Sequence, residues 1–407
     1  MKEQTMSTIQ YDMLYLLSCG VNKTKPQQNI LEQYKSDDRK LMQLYGFSKQ
    51  HFVDALTGTV LKQAGVTLPD PWEKDMAKAV RKVILFDAER ARILSFMEQR
   101  GIWYLPLKGI ILKEFYPSVG MRQMSDNDIL FDEAFAEQVR EYMVSLGYEV
   151  ISFGEGNHDV YEKEPVYNFE LHRALYGAAH DNNWEQYYRD VKERLIREEG
   201  SSYGYHMKPE DFYIYIMCHG YKHYQGGGTG IRTLLDFYVY LESLHSEMDF
   251  AYIEKECETL GLSEFEKRNR ALCRKVFGDN AFAELPAEER VPDTAAHTTK
   301  EIITKALSQE ELDMLQYYMT SGVYGTFDRR IENNVKKYSK NGGSSKLRYV
   351  IKRIFPGMET YQYYPFFYKH KWLLPVCWLY RLLRVVFQRE RRERILREAD
   401  AVRKVKV

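Results

Sequence analysis

The sequence predicts an α+β fold: a small mixed β-sheet core flanked by N-terminal and C-terminal helical regions. Three observations lead there. Apolar residues recur at helical spacing through the first hundred positions. Between Ile102 and His172, short apolar or alternating runs are cut by glycine and proline. From Trp184 onward the helical period returns. The 407 residues thus divide into an N-terminal helical region at 1–100, an α/β core at 101–175, a helical domain at 176–340, and a flexible joint with a basic amphipathic tail at 341–407.

Within 75–100, Met76, Ala79, Val80, Val83, Ile84, Phe86, Ile93, Leu94 and Met97 lie near helical spacing with charges between them, and Gly101 stands where a helix-ending glycine belongs. Residues 102–105 read as a short buried strand closed by Pro106. A short helix is expected at 110–115, ended by Pro117 and Gly120, and the next strand at 128–131. An amphipathic helix over 133–146 stops at Gly147, and 148–153 reads as another strand. Residues 158–162 and 166–172 form a further strand pair joined across Pro165. Helices are then expected at 211–224, 232–244, 250–260, 264–276 and 310–319. A polar connection spans 286–299, and 341–345 (Asn-Gly-Gly-Ser-Ser) reads as a flexible joint.

Hydrophobic residues make up 44% of the chain, enough for a sizeable core. The 58 basic and 58 acidic residues cancel, which argues against a dedicated nucleic-acid binder while allowing a local basic patch. Five scattered cysteines without a C-x-x-C pair suit reduced thiols in a cytoplasmic protein. The polar start, 1–10, has no apolar run with a cleavage site, so no secretory leader is expected.

The chemistry gathers in Leu107-Lys108-Gly109, in 121–128, and in Phe169-Glu170-Leu171-His172. Gly109 is a glycine where backbone can approach a phosphate. Asp126 and Asp128 are two apart, and a strand's period of two puts both on one face. Two such charges about 4 Å apart repel by roughly 4 kcal/mol at an effective dielectric near 20. They call for a cation, a shared proton or solvent. A metal that also holds a phosphorylated substrate is the reading these residues favour.

The run Leu107-Lys108-Gly109, Tyr116, Gly120-Met121-Arg122 and Met124-Ser125-Asp126-Asn127-Asp128-Ile129-Leu130 resembles the signature of a bacterial family of uncharacterised nucleotidyltransferases. That family sits in the wider superfamily built on the DNA polymerase beta type of catalytic domain. The likeness extends to 166–172 and, more loosely, to Cys218-His219, His223, Leu234-Leu235-Asp236 and the stretch 353–356. It implies a nucleotidyltransferase core in which Gly109 is the turn glycine, Asp126 and Asp128 hold divalent metal, and Glu170 is the third acid. The implied cofactor is Mg²⁺ or Mn²⁺. The implied partners are an NTP and a hydroxyl acceptor on a small molecule, carbohydrate or protein, with pyrophosphate leaving and Glu170 taking the acceptor's proton. Two departures stand out: Ile110 follows the turn glycine where the superfamily has Gly or Ser, and the third acid is a glutamate.

Every one of these residues has a structural alternative. Asp126 can serve as a turn residue after Ser125, and Asp128 and Glu170 as solvated strand residues. Lys108 can contact phosphate or merely flank a strand end. Arg122 can clamp a triphosphate bidentately or form an ion pair that orients the aspartates. His172 can meet the nucleotide or acceptor, or be a hydrogen-bonded core histidine. His219 and His223 lack a third ligand and the zincin glutamate, so packing or lining the cleft is favoured over zinc. Asp236 follows Arg232 at helical spacing, which favours an i,i+4 ion pair. The glycine run at 226–230 lacks the Lys-Ser/Thr pair of a phosphate loop and reads as a mobile connection.

Residues 372–387 are apolar but interrupted by Pro375, Arg381 and Arg384, too short and too charged to span a membrane. The stretch 389–406 adds eight basic residues against four acidic ones. Such a tail suits an anionic membrane surface or a protein partner, but packing as a terminal helix on its own domain is favoured. The leading functional expectation is a metal-dependent nucleotidyltransferase. Its rivals are a catalytically silent nucleotide- or partner-binding protein and a toxin-type nucleotidyltransferase acting on tRNA or protein, to which the neutral net charge gives no help.

Overall fold

Helices fill the first hundred residues of the computed structural model, which describes residues 6–177, 182–278, 281–282, 298–323, 325–338, 345–355, 370–387 and 389–405. They are α1 (Thr8–Asn22), α2 (Gln28–Ser36), α3 (Asp38–Gln50), α4 (Asp54–Gln63) and α5 (Asp70–Gln99). α5 begins five residues before its expected start because Pro71 occupies its first turn, where a missing N–H is harmless, beside Asp70 and Glu73. It stops at Gly101, whose φ of 72° is the left-handed conformation glycine adopts without strain.

Five strands follow: β1 (Tyr104–Pro106), β2 (Asn127–Phe131), β3 (Glu149–Ser152), β4 (His158–Lys163) and β5 (Tyr167–His172), with α6 (Gly109–Leu112) and α7 (Ala136–Ser145) between them. The sheet order is β1-β2-β5-β4-β3, antiparallel throughout except for the parallel pair β2–β5. β1 tolerates Pro106 because it is an edge strand. Period-two alternation then sorts the side chains. Ile129, Phe131, Tyr161, Phe169 and Leu171 enter one apolar core with Val83, Phe86, Ile93 and Met97 of α5 and Val139 and Met143 of α7. The Phe86 and Phe169 rings lie 6.3 Å apart, and Phe96 stacks on Tyr142 at 3.8 Å. Residues of the opposite register, Asp128 on β2 and Glu170 and His172 on β5, fall on the other face.

Beyond the sheet come α8 (Asn182–Tyr188), the short hairpin β6 (Ile196–Arg197) and β7 (Tyr205–His206), then α9 (Pro209–Gln225), α10 (Ile231–Leu244), α11 (Phe250–Thr259), α12 (Ser263–Phe277), α13 (Thr299–Ala306) and α14 (Gln309–Ser321). Capping boxes at Thr298/Glu301 and Ser308/Glu311 start the last two. α15 (Phe327–Lys337), α16 (Ser345–Ile354), α17 (Leu374–Phe387) and α18 (Arg389–Lys404) complete the order. The chain divides into two compact units, Thr5–Tyr221 with Gly230–Val323, and Lys222–Thr229 with Tyr324–Val407 and residues 1–4. Most of the expected connection at 286–299, the joint at 341–344 and Pro356 lie outside the described residues. All five cysteines are buried free thiols. Among the described residues, no helix is long and apolar enough to cross a membrane.

His51, fully buried after α3, ties the ends of two other helices. Its Nε2 faces the Met319 carbonyl at 3.2 Å, and its Nδ1 accepts from the Ile231 N–H at 3.3 Å. Burial pushes its pKa down to about 4, against the Met319 hydrogen bond. The unfolded chain takes up a proton near pH 6.5 that the folded protein refuses until about pH 4. Stability is therefore full above pH 6.5 and declines as pH falls, by about 2 kcal/mol at pH 5 from this residue. Urea unfolding at pH 7 and 5 should show that decline, and His51→Gln, which keeps a donor for Met319 without titrating, should flatten it.

Candidate active site

The site forms where β1 hands over to α6. Leu107 donates its N–H to the Asp128 carbonyl at 2.9 Å, extending the β1–β2 pairing by one residue. Lys108 then turns with φ 46° and ψ −117°. A left-handed φ on lysine costs on the order of 1 kcal/mol, and such strain clusters at functional sites. The turn delivers the Lys108 Nζ to 2.5 Å from Asp128 Oδ1 and 3.9 Å from Glu170 Oε2.

Asp128 and Glu170 are direct partners in the parallel β2–β5 register, as His158 and His172 are across β4–β5. His172 Nε2 lies 2.9 Å from Asp128 Oδ1 and 3.8 Å from Glu170 Oε2. His158 Nε2 also lies 3.8 Å from Glu170 Oε2, with the two imidazole rings 5.0 Å apart. An ionised carboxylate only accepts, so His172 carries its proton on Nε2. Its Nδ1 is buried with no hydrogen-bond partner among the described residues.

Burial raises the pKa of Glu170 to about 8, with the Asp128 charge adding to it and Lys108 opposing. Burial, then the Asp128 charge, raises Asp126 to about 6. Burial acts the same way on Asp128, but the Lys108 ammonium and the His172 hydrogen bond outweigh it and hold this carboxyl well below the usual range. Burial lowers His172 to about 4 despite its bond to Asp128. Two of three acids are thus short of positive charge, and the one that is satisfied has captured the lysine.

Asp126 sits one residue before β2, within the fields of Asp128, Lys108, Arg232 and Arg122. Lys82 of α5 donates to the neighbouring Ser125 carbonyl at 3.0 Å. Arg122 is engaged elsewhere. Its Nε and Nη2 each donate to Asp236 at 2.9 Å, and Tyr116 donates to the same carboxylate at 2.8 Å. Asp236 pairs with Arg122, not with Arg232 one turn away on α10, because the fork geometry of Arg122 satisfies both oxygens at once. Arg232 instead donates to the Gln123 carbonyl at 3.0 Å.

Gly109 is explained by this arrangement. A Cβ there would lie 2.5 Å from Arg122 Nη1 and 2.9 Å from Met124 Sδ. Its backbone is not left-handed; the positive φ falls on Lys108. α6 has a single turn whose Ile110 and Ile111 N–H groups already donate to Leu107 and Lys108 carbonyls. Any attraction it exerts on a phosphate through its dipole is small.

His158, Tyr215 and Lys82 were not singled out from sequence. Tyr215, buried on α9, has its hydroxyl pKa driven up by burial and sits within reach of the Lys108, Asp128 and Glu170 charges. His158 was accessible: counting back from the turn at Pro165 pairs it with His172. His219 and His223 lie on α9 outside the ligand-type group found among the described residues, which is His158, Glu170 and His172, with atoms within 4.8 Å of one another.

This chemistry fits a divalent cation. The Lys108 ammonium stands between Asp128 and Glu170 as a cation would, and the half-buried Asp126 and Glu170 are left short of positive charge. The group whose donor atoms come together, His158, Glu170 and His172, sets one carboxylate beside two imidazoles and favours a softer ion than Mg²⁺; Asp126 and Asp128, which would add the oxygen donors Mg²⁺ prefers, are not part of it. The family model described as an uncharacterised nucleotidyltransferase matches residues 37–278, the segment holding all these side chains. No curated protein and no solved structure matches the chain.

Proposed function

Because the chain belongs to the family of uncharacterised nucleotidyltransferases, we propose that it moves a nucleotidyl group from an NTP to a hydroxyl on a small molecule, carbohydrate or protein, with Mg²⁺ or Mn²⁺. The reading includes kinship with the polymerase beta-like superfamily, a bacterial origin and a cytoplasmic setting. The observation that carries it is the β2–β5 register, with Asp128 opposite Glu170 and Asp126 two residues upstream.

In this reading Asp126, Asp128 and Glu170 hold the cation. When bound, that ion neutralises phosphate charge and orients the acceptor oxygen. Lys108, displaced from Asp128, turns its ammonium to the phosphates. Gly109 and Arg122 shape the nucleotide side of the cleft, and His172 fixes Asp128 while facing the nucleotide. Glu170 accepts the acceptor's proton. Pyrophosphate release, measured with each NTP over a panel of acceptor hydroxyls, tests the proposal; binding without turnover across that panel would sink it.

One observation supports the rival, a silent nucleotide-binding protein: Lys108 already neutralises Asp128 within the protein itself. The donor set yields a further expectation. His158→Ala should weaken Mn²⁺ binding about tenfold and leave Mg²⁺ within about twofold, because imidazole contributes little to a hard ion. Titration calorimetry with each metal reads both values; equal losses would remove His158 from the site.

A further inference from the structure

Neutral net charge conceals a strongly polarised chain. Residues 345–407 contain sixteen basic and five acidic side chains, a net charge of +11, so the preceding 344 residues carry −11. Exposed apolar side chains concentrate in the same stretch. Among the described residues, eleven of the nineteen large hydrophobics that face solvent lie between Leu347 and Leu396.

Their spacing is ordered. Tyr349 of α16 turns inward, packing with Ile331, Val335, Ala401, Val402 and Val405 and donating its hydroxyl to Glu398 at 2.5 Å. The helix has therefore already met its own small core. Leu347, Val350, Ile351 and Ile354 nevertheless form a second stripe at i, i+3, i+4 and i+7, and every one of them is exposed. Arg348 and Lys352 flank it. Trp372, Val376, Leu379 and Tyr380 repeat the pattern at i, i+4, i+7 and i+8 around the start of α17, with Trp372 78% exposed. α17 has 14 residues, about 21 Å of helix, and carries Arg381 and Arg384. A helix of that length does not cross a hydrocarbon core of about 30 Å but is long enough to lie along its edge.

We infer that this C-terminal surface docks on an anionic membrane face, with the apolar stripes of α16 and α17 set into the headgroup layer and their arginines and lysines on lipid phosphates. A second copy paired through this same stretch is a poor occupant, because two segments of net charge +11 repel. A nucleic acid would use the charge but not two stripes of Leu, Ile and Val, which offer nothing to base stacking. Lipid uses both. This inference is independent of the transfer reaction.

Co-sedimentation of the full chain with phosphatidylcholine vesicles, alone or with roughly one-third phosphatidylglycerol, tests it. Binding should be at least about tenfold tighter to the anionic vesicles and should weaken with salt. Tryptophan emission should shift blue on binding, and Trp372→Phe should reduce that shift. The exposed changes Leu347→Glu with Ile351→Glu, or Trp372→Glu with Leu379→Glu, should abolish binding without altering the circular dichroism spectrum. Equal binding to neutral vesicles, unchanged binding by the glutamate variants, or retention on RNA or self-association in place of vesicle binding would overturn it.

Discussion

Asp128→Asn is expected to abolish pyrophosphate release, a loss of about 10³-fold or more, while the protein remains folded. The first expectation follows from position: this carboxylate faces Glu170 across the parallel register and is the acid that stays ionised. The second follows from hydrogen bonding. Lys108 and His172 both meet the same oxygen, Oδ1, so an asparagine carbonyl placed there still accepts from the ammonium and from the His172 Nε2–H. Lys108 loses its countercharge but retains Glu170 at 3.9 Å, so the stability loss should stay near 1–3 kcal/mol. Lys108→Met is the complementary variant. Removing the resident ammonium should make Mn²⁺ raise the melting temperature more than it does in the unmodified protein, since only binding to the folded state stabilises. Retained turnover in Asp128→Asn would end the assignment whatever Lys108→Met does.

The parts of this site that sequence made legible are the local ones. Alternation in 127–131 and 167–172 separates Ile129, Phe131, Phe169 and Leu171 from Asp128 and Glu170 without reference to anything distant. Glycine at 101 and 147, both with positive φ, marks the ends of α5 and α7 for reasons of backbone sterics alone. The pairing of β2 with β5 is different. It joins strands separated by α7, β3 and β4, and no spacing rule sets which acid faces which. The same limit explains Asp236, whose local neighbour is Arg232 but whose partner, Arg122, is 114 residues away. Gly109 was identified as important, yet the groups that require its missing side chain, Arg122 and Met124, follow from tertiary packing. Lys108 could be recognised as a charge near a turn. Its capture by Asp128 depends on a left-handed backbone that lysine rarely adopts, so nothing in the residue type announced it.

Asp236→Ala should destabilise the protein by about 3–5 kcal/mol, the largest single loss expected away from the apolar core. Asp236 and Arg122 are 7% and 8% exposed, and the carboxylate accepts three hydrogen bonds, two from Arg122 and one from Tyr116. Without it, a buried guanidinium is left beside Arg232, whose own charge is already disfavoured by burial and by Arg122. The double variant Arg122→Met with Asp236→Leu removes both charges and keeps the volume, so most of the loss should return. That recovery separates the two roles open to Arg122. If it only anchors the loop leading to Asp126 onto α10, the double variant will turn over NTP with a nearly unchanged KM. If the arginine leaves Asp236 to hold triphosphate, the recovered protein will show a KM raised about tenfold or more at similar stability. Urea denaturation and NTP saturation curves on the same preparations decide between them, and a double variant no more stable than Asp236→Ala would refute the ion-pair account.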